Sequence, residues 1–202
     1  MEKNGITILD PLPAVIDSFD GILLVLGGGK PLWEDYFKAK KLLGGNKCHV
    51  MCVNHIGTCF KAEQIKHFVS LHKGLHHATR LIRREMSMLE TFHTHCIYPA
   101  PDVDNVWKFD HNSGTSGCFA LKISVLMGYK KIILCGIPLD FSGHFFDPKN
   151  FRDNGAVDFS NDGRQGVWRQ TREKSKESQD RVRSFSGNTM ELFGEPTEDW
   201  LQ

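Results

Sequence analysis

The sequence lacks a long hydrophobic run and an excess of one charge. No apolar stretch approaches the roughly 18 residues that a membrane-spanning helix needs, and the acidic, proline-interrupted start is unlike a signal peptide. The 25 Lys and Arg side chains nearly balance the 24 Asp and Glu side chains, so the net charge of +1 creates no field for nucleic acid or anionic lipid. We therefore expect a soluble cytoplasmic protein with no membrane span, no strong nucleic-acid signal and only local anion sites.

Paired-cysteine motifs are also absent, since the six cysteines include no CxxC. Most of them lie in apolar runs, where a reduced cysteine behaves as a small hydrophobic side chain, which disfavours a disulfide framework. The run FHTHC at residues 92–96 would place His93 and His95 on one face of a strand, as two metal ligands require. No third or fourth ligand is evident nearby, so we favour a polar strand face and assign no metal ligand.

Apolar runs of strand length do occur, and amphipathic segments separate them. They are GILLVL (21–26), CHVMCVN (48–54), KHFVSLH (66–72) and KIILCGI (131–137). This alternation is typical of a parallel sheet covered by helices, and 202 residues suit one domain. We predict a single Rossmann-like α/β domain over residues 1–202, with a mostly parallel sheet and helices on both faces. Its core would span about residues 21–147.

The remaining residues, 148–202, would form a loop and a C-terminal helical extension. The stretch at 151–166 is rich in Gly, Asn and Asp and predicts a long loop. VRSFSG (182–187) predicts a short edge strand, and EPTEDWL (195–201) predicts a terminal helix that could dock through Trp200.

Two glycine-containing loops are candidates for binding phosphate. GGGK (27–30) follows the first strand and precedes a helix, so its N–H groups and the helix dipole could face an anion. It matches neither GxGxxG nor GxxxxGK[ST], and a tight structural turn is the alternative. NSGTSG (112–117) has the same character and adds hydroxyl groups, although Ser113 and Ser116 could instead be helix caps.

Loops that leave the carboxyl ends of neighbouring parallel strands meet in one crevice. Asn54 ends the second apolar run, where its amide could contact a base or a sugar. We therefore predict a nucleotide-binding site with a small-molecule nucleotide as its ligand. Its predicted residues are Gly27, Gly28, Gly29, Lys30, Asn54, Ser113, Gly114, Thr115, Ser116 and Gly117.

These loops and the segment TSGCFALKISVLMGYKKIILCGI (115–137) resemble the sialyltransferase-like and MptE-like Rossmann superfamily. That group includes CMP-sialic acid transferases, flagellin glycosyltransferases of the DUF115 type and an archaeal pterin pyrophosphokinase. The resemblance covers roughly residues 21–147, with GGGK as a degenerate form of the usual GxGPSL. It implies that the glycine loop, Asn54 and the TSG loop hold a CMP moiety. It also implies that FSGHFFD (141–147) lies near the departing phosphate.

Within that segment, His144 stands about where family members have a tyrosine. It is a candidate phosphate contact or general acid, and a surface loop histidine is the alternative. GIPLD (136–140) replaces the family's GID, which displaces Asp140, the second candidate catalytic residue, by two positions. The sialyltransferases carry a later base histidine, whereas this sequence has no histidine after His144.

The sequence thus favours a nucleotide-dependent transferase, specifically a glycosyltransferase-like enzyme whose donor is a CMP-type nucleotide-sugar. One alternative is an MptE-like pyrophosphokinase that uses ATP and magnesium, with Asp140 or Asp147 as metal ligands. Its TDLDG-like acidic motif is missing, since LHKG (71–74) occupies that position. The other alternative is a non-catalytic nucleotide-binding or sensing module. No other cofactor is assigned, the acceptor is not specified, and a homo-oligomer is compatible with the sequence.

Overall fold

The computed structural model describes residues 1–88, 91–110, 113–140, 142–147 and 166–202. It confirms the predicted fold class, because a seven-stranded parallel sheet carries helices on both faces in a Rossmann-like arrangement. The predicted loop at 151–166 lies outside the described residues except for Gly166. No described helix is both long enough and apolar enough to cross a membrane.

Four of the described strands occupy the four apolar runs of the sequence, and the others lie elsewhere in the chain. The described strands are β1 (Glu2–Lys3), β2 (Ile6–Leu9), β3 (Ile22–Leu26), β4 (Cys48–Val53), β5 (His67–Val69), β6 (His93–Cys96), β7 (Asn105–Val106), β8 (Lys108–Phe109), β9 (Lys131–Cys135) and β10 (Val182–Ser184). The central sheet has the order β10-β9-β3-β4-β5-β6-β7, while β1, β2 and β8 form a small separate sheet. The order reverses at the β3/β9 pair, and open α/β sheets bind ligands at such a switch point.

The helices connect and cover these strands. They are α1 (Leu32–Leu43), α2 (Ile56–Cys59), α3 (Gly74–Glu85), α4 (Ser116–Leu126), α5 (Gly166–Lys174), α6 (Lys176–Arg181), α7 (Gly187–Phe193) and α8 (Glu198–Leu201). Helix α4 contacts the sheet on one side and α5 and α6 on another, which explains why nearly all its residues are buried. The predicted edge strand at 182–187 is present as β10, which pairs with β9.

Two apolar layers separate the sheet from its helices. Leu23 and Val25 of β3 point into the layer shared with α4, whereas Leu24 and Leu26 point into the layer shared with α1. All four side chains are fully buried. A strand covered on both faces has no solvent side, so its sequence is continuously apolar and does not alternate.

A buried carboxylate joins three elements beneath the carboxyl ends of β3 and β9. Asp35, in the first turn of α1, is only 1% exposed. Its Oδ2 accepts a hydrogen bond from the Gly136 N–H (2.9 Å) and another from the Ser186 hydroxyl (2.6 Å). Burial raises the pKa of Asp35, and these two hydrogen bonds oppose that shift. The carboxylate therefore holds the turn after β9 and the start of α7 against α1.

A row of hydrogen-bonded side chains, which we call the histidine row, lies on the sheet face that α4 covers. Four contacts form it: Trp107 Nε1 to His95 Nδ1 (3.1 Å), His95 Nε2 to His67 Nδ1 (3.0 Å), His67 Nε2 to the Tyr129 hydroxyl (2.8 Å), and that hydroxyl to His49 Nδ1 (2.7 Å). An indole N–H can only donate, so neutral His95 must carry its proton on Nε2. His95 Nε2 then donates to His67 Nδ1, and His67 Nε2 donates to the Tyr129 hydroxyl. That hydroxyl in turn donates to His49 Nδ1.

This row is uncharged at neutral pH. Burial lowers the pKa of His95 to about 3 and lowers that of His67 well below 6.5. The row therefore contributes to stability only while its imidazoles remain neutral.

Substitutions at Asp35 separate its hydrogen bonds from its charge. Asp35→Asn keeps an oxygen acceptor for Gly136 and Ser186 and removes a carboxylate whose raised pKa destabilises the folded state at neutral pH. We expect its free energy of unfolding in urea at about pH 7.5 to equal or exceed that of the wild type. Asp35→Ala leaves two donors without an acceptor and should lose about 2–4 kcal/mol. Equal losses of unfolding free energy in the two variants would contradict this role of Asp35. The control is Glu34→Gln, a substitution at the exposed neighbouring residue.

The histidine row predicts that stability falls in mild acid. The unfolded state takes up protons near pH 6.5 while folded His67 and His95 stay neutral, so stability present above that pH is lost as the pH falls toward the folded-state pKa values. Each group should contribute a loss of about 1.4 kcal/mol per pH unit. His95→Asn keeps an acceptor for Trp107 and should reduce the slope of unfolding free energy between about pH 6 and 5 by that amount. Exposed His72→Asn should retain the wild-type slope, and an unchanged slope in His95→Asn would contradict the interpretation.

Candidate functional site

A cleft of about 200 Å³ opens at the carboxyl ends of β3, β4 and β9. The residues that follow these strands form its walls, together with the amino-terminal end of α4. Nine of the predicted site residues line it: Gly27, Gly28, Gly29, Asn54, Thr115, Ser116, Gly117, Asp140 and His144. Segments far apart in the sequence thus meet at the β3/β9 switch point.

The glycine loop at residues 27–30 is held closely against the chain that follows β9. Three of its N–H groups donate to backbone carbonyls at the end of β9 or after it: Gly27 to Cys135 (2.8 Å), Gly29 to Gly136 (2.8 Å) and Lys30 to Gly143 (3.3 Å). Among the described residues, the Gly28 N–H has no intramolecular acceptor. The loop therefore offers a ligand one N–H group, and not the whole row that its sequence suggests.

Packing explains why glycine occupies the first and third positions of this loop. A Cβ atom at Gly27 would lie 2.4 Å from the side chain of Ile137, and one at Gly29 would lie 2.5 Å from Pro138. Both distances are too short for any side chain. Close packing therefore gives a structural reason for these two glycines, while Gly28 is partly exposed at the cleft.

The amino-terminal end of α4 supplies donors on the opposite wall. Thr115 caps the helix, since its Oγ1 accepts from the Cys118 N–H (3.2 Å) and also from the Trp168 indole N–H (3.1 Å). In the described part of the chain, the N–H groups of Ser116 and Gly117 have no acceptor. They line the cleft at the positive end of the helix dipole, where an anion is favoured.

The hydroxyl groups of this loop have separate positions. Thr115, and neither Ser113 nor Ser116, is the capping residue. The Ser116 hydroxyl accepts from the Leu71 N–H (3.3 Å) and so links α4 to the segment after β5. This hydrogen bond gives the Ser116 hydroxyl a partner where the residue is buried beside the cleft.

Three predicted site residues are not among the residues that line the cleft: Lys30, Ser113 and Gly114. Gly114 has a φ of 75°, and a Cβ atom there would lie 3.2 Å from Cys118 Sγ and 3.3 Å from Val167. Glycine at this position allows the turn before α4 to pack against α5, since a side chain at this φ would be strained.

Asn54 presents its amide to the cleft with a defined orientation. Its backbone is left-handed, with a φ of 54°, which asparagine tolerates better than most residues. Its Oδ1 accepts from the Ser70 hydroxyl (2.9 Å), so Nδ2 remains as a donor. Ser70 was not predicted from the sequence, although its place directly after β5, matching that of Asn54 after β4, was an available signal.

His144 lies beside the glycine loop, where its backbone forms an antiparallel bridge with Gly29. Its Cδ2 is 3.1 Å from the position a Cβ atom would take on Gly28. Asp147 Oδ2 accepts from the His144 backbone N–H (2.6 Å) and lies 3.3 Å from Nδ1. A carboxylate at Nδ1 orients the ring and leaves Nε2 to exchange a proton. The pairing of His144 with Asp147 was not predicted.

Asp140 is exposed and precedes His144 in the segment that follows β9. Its Oδ1 accepts from both the N–H (2.9 Å) and the hydroxyl (2.5 Å) of Ser142. These bonds close the turn that follows β9 and hold the carboxylate at the edge of the cleft.

Metal-ligand geometry is not found in the part of the chain that the structure describes. No three His, Cys, Asp or Glu side chains there are grouped so as to hold a metal ion. The two candidate magnesium ligands, Asp140 and Asp147, each bond within their own loop. His93 and His95 do lie on one strand, β6, but His95 bonds to the neighbouring His67 in the histidine row.

Comparisons of the chain with protein-family models, with curated proteins and with solved structures found no match. The family resemblance suggested by the sequence therefore stays a prediction. In the cleft, the glycine loop, Asn54, the start of α4 and the His144–Asp147 pair converge at the switch point of a Rossmann-like sheet.

Proposed function

We propose that the chain is a nucleotide-dependent transferase, specifically a glycosyltransferase-like enzyme whose donor is a CMP-type nucleotide-sugar. The observation that carries the proposal is the presence of phosphate-type donors and a carboxylate-paired histidine in one cleft at the switch point. The resemblance of residues 21–147 to the sialyltransferase-like and MptE-like superfamily supports the choice of donor.

The phosphate of the nucleotide binds between the two walls of the cleft. The Ser116 and Gly117 N–H groups and the α4 dipole face it from one wall, and the Gly28 N–H faces it from the other. Asn54 Nδ2 adds a neutral donor at the end of β4. Such preorganised donors stabilise the negative charge that develops on a departing phosphate.

In the transfer step, the acceptor hydroxyl oxygen bonds to the anomeric carbon while the bond from that carbon to the phosphate oxygen breaks. The bonding electrons remain on the phosphate, which receives a proton from Nε2 of His144. Asp147 orients the ring of His144 through Nδ1. The proton of the acceptor hydroxyl passes to the carboxylate of Asp140, which lines the same cleft.

A second candidate function is a nucleotide-binding module without catalysis. It is favoured by the absence of any histidine after His144, because the sialyltransferases that the sequence resembles use a later histidine as base. Turnover distinguishes the two functions. A transferase should slowly hydrolyse a CMP-sugar without an acceptor, whereas a binding module should bind CMP and hydrolyse nothing. Consumption of ATP only with magnesium would instead identify the pyrophosphokinase alternative.

Changing Asn54 to Asp tests the phosphate site with little change in shape. The new side chain keeps an oxygen for Ser70 but replaces the Nδ2 donor by a negative oxygen facing the bound phosphate. We expect the Kd for CMP, measured by calorimetry, to rise by about 10- to 100-fold.

The matched control is Asn46→Asp, which adds the same charge at an exposed residue beyond the end of α1. It should bind CMP as the wild type does. Wild-type affinity in Asn54→Asp would exclude Asn54 from the phosphate site.

Changing His144 to Ala tests the proposed acid. The rate of CMP-sugar hydrolysis should fall by about 10²- to 10⁴-fold, because the departing phosphate loses its proton donor. The Kd for CMP should change little, since the phosphate contacts come from backbone N–H groups and Asn54.

The chain provides a control for this variant in a second His–Asp pair. His77 Nδ1 lies 2.6 Å from Asp102 Oδ2 on the exposed side of α3, and neither residue lines the cleft. His77→Ala should retain wild-type hydrolysis. A His144→Ala variant that hydrolyses the donor at the wild-type rate would exclude His144 as the acid.

A further inference from the structure

Three rings form an aromatic rim beside the glycine loop. The rings of His144 and Phe146 stack, with centroids 4.9 Å apart and planes 10° apart, and His55 meets Phe146 edge-on at 6.5 Å. Phe146 is 55% exposed, and its Cε1 lies 3.9 Å from the position of a Cβ atom on Gly28. An apolar ring thus faces solvent directly beside the one glycine-loop N–H that is open to a ligand.

The chain on both sides of Phe146 is held in place. The Phe145 N–H donates to the Gly28 carbonyl (2.9 Å), and its ring packs against Trp33 at 6.1 Å. On the other side, Asp147 accepts from the His144 N–H. Since Phe145 points inward, its neighbour Phe146 is presented outward by a backbone that is already ordered.

Exposure alone does not make a ring functional, because single exposed apolar side chains are common on protein surfaces. Phe37 is 65% exposed on α1 and illustrates that ordinary case. Phe146 differs in its position, since it lies against Gly28 and His144, two residues that line the cleft. A planar group attached to a phosphate in the cleft could reach it.

We infer that Phe146 is the stacking platform for the aromatic base of a nucleotide whose phosphate lies at the start of α4. The inference rests on the proposed nucleotide-binding function and adds to it a base subsite and its selectivity. Stacking uses the π-face that every base possesses and reads no hydrogen-bond pattern. Phe146 therefore favours nucleotides over sugar phosphates and contributes to the binding of both pyrimidine and purine nucleotides.

The test compares ligands with and without a base. Calorimetry would measure the Kd of CMP, AMP and ribose 5-phosphate for the wild type, Phe146→Ala, Phe146→Tyr and the control Phe37→Ala. Phe146→Ala should raise the Kd of CMP and of AMP by about tenfold and leave that of ribose 5-phosphate unchanged. Phe146→Tyr should bind all three ligands as the wild type does, because it keeps the ring, and so should Phe37→Ala. Circular dichroism would check that each variant is folded.

The outcomes separate this inference from the function beneath it. If the wild type binds neither CMP nor AMP, the proposed function fails and the base subsite fails with it. If the wild type binds both nucleotides and Phe146→Ala binds them equally well, the function stands and the subsite is overturned. A loss that also affects ribose 5-phosphate would overturn it too, since Phe146 would then shape the phosphate site.

Discussion

A carboxylate buried in the first turn of a helix must find hydrogen-bond donors, and Asp35 finds them in two segments that are distant in the sequence. Its bond to the Gly136 N–H fixes the turn after β9, where Gly136 has a left-handed φ of 65°. The carbonyl of the same Gly136 accepts from the Gly29 N–H, so this turn also holds the glycine loop in place. Gly29 then pairs with His144. The positions of the candidate acid and of the glycine loop thus both trace back to one buried oxygen.

This sequence of contacts changes the meaning of the glycine-rich motif. A strand followed by several glycines and a helix is commonly associated with a phosphate site, yet here two of the three glycines are required by close packing against Ile137 and Pro138. Most of the loop's N–H groups are occupied by the chain after β9. The open donors lie mainly at the start of α4, whose N–H groups have no intrahelical partners by geometry. The less conspicuous of the two loops therefore contributes more to the cleft.

The sequence predicts the fold and the place of the cleft because both follow from local patterns. Buried strands such as β3 are continuously apolar, and the carboxyl-end rule brings Asn54 and Ser116 to the same edge of the sheet. Polar contacts between distant segments leave no such pattern. Asp35 and Gly136 are separated by 101 positions, and nothing near Asp35 indicates its partner. The hydrogen bond of Ser70 to Asn54 also joins residues that are 16 positions apart, whereas Asp147 lies only three positions from His144 and is a local partner that was not predicted.

The histidines show most clearly why residue type alone does not define chemistry. His95 is buried, accepts from an indole N–H and contacts another neutral imidazole, so its environment offers nothing that would stabilise a positive charge. Burial accordingly lowers the pKa of His95 to about 3, and the residue cannot serve as an acid at neutral pH. His144 is exposed, and its Nδ1 lies 3.3 Å from the carboxylate of Asp147. The environment therefore gives the first histidine a structural role and leaves the second exposed at the cleft, although in the sequence both are histidines close to an apolar run.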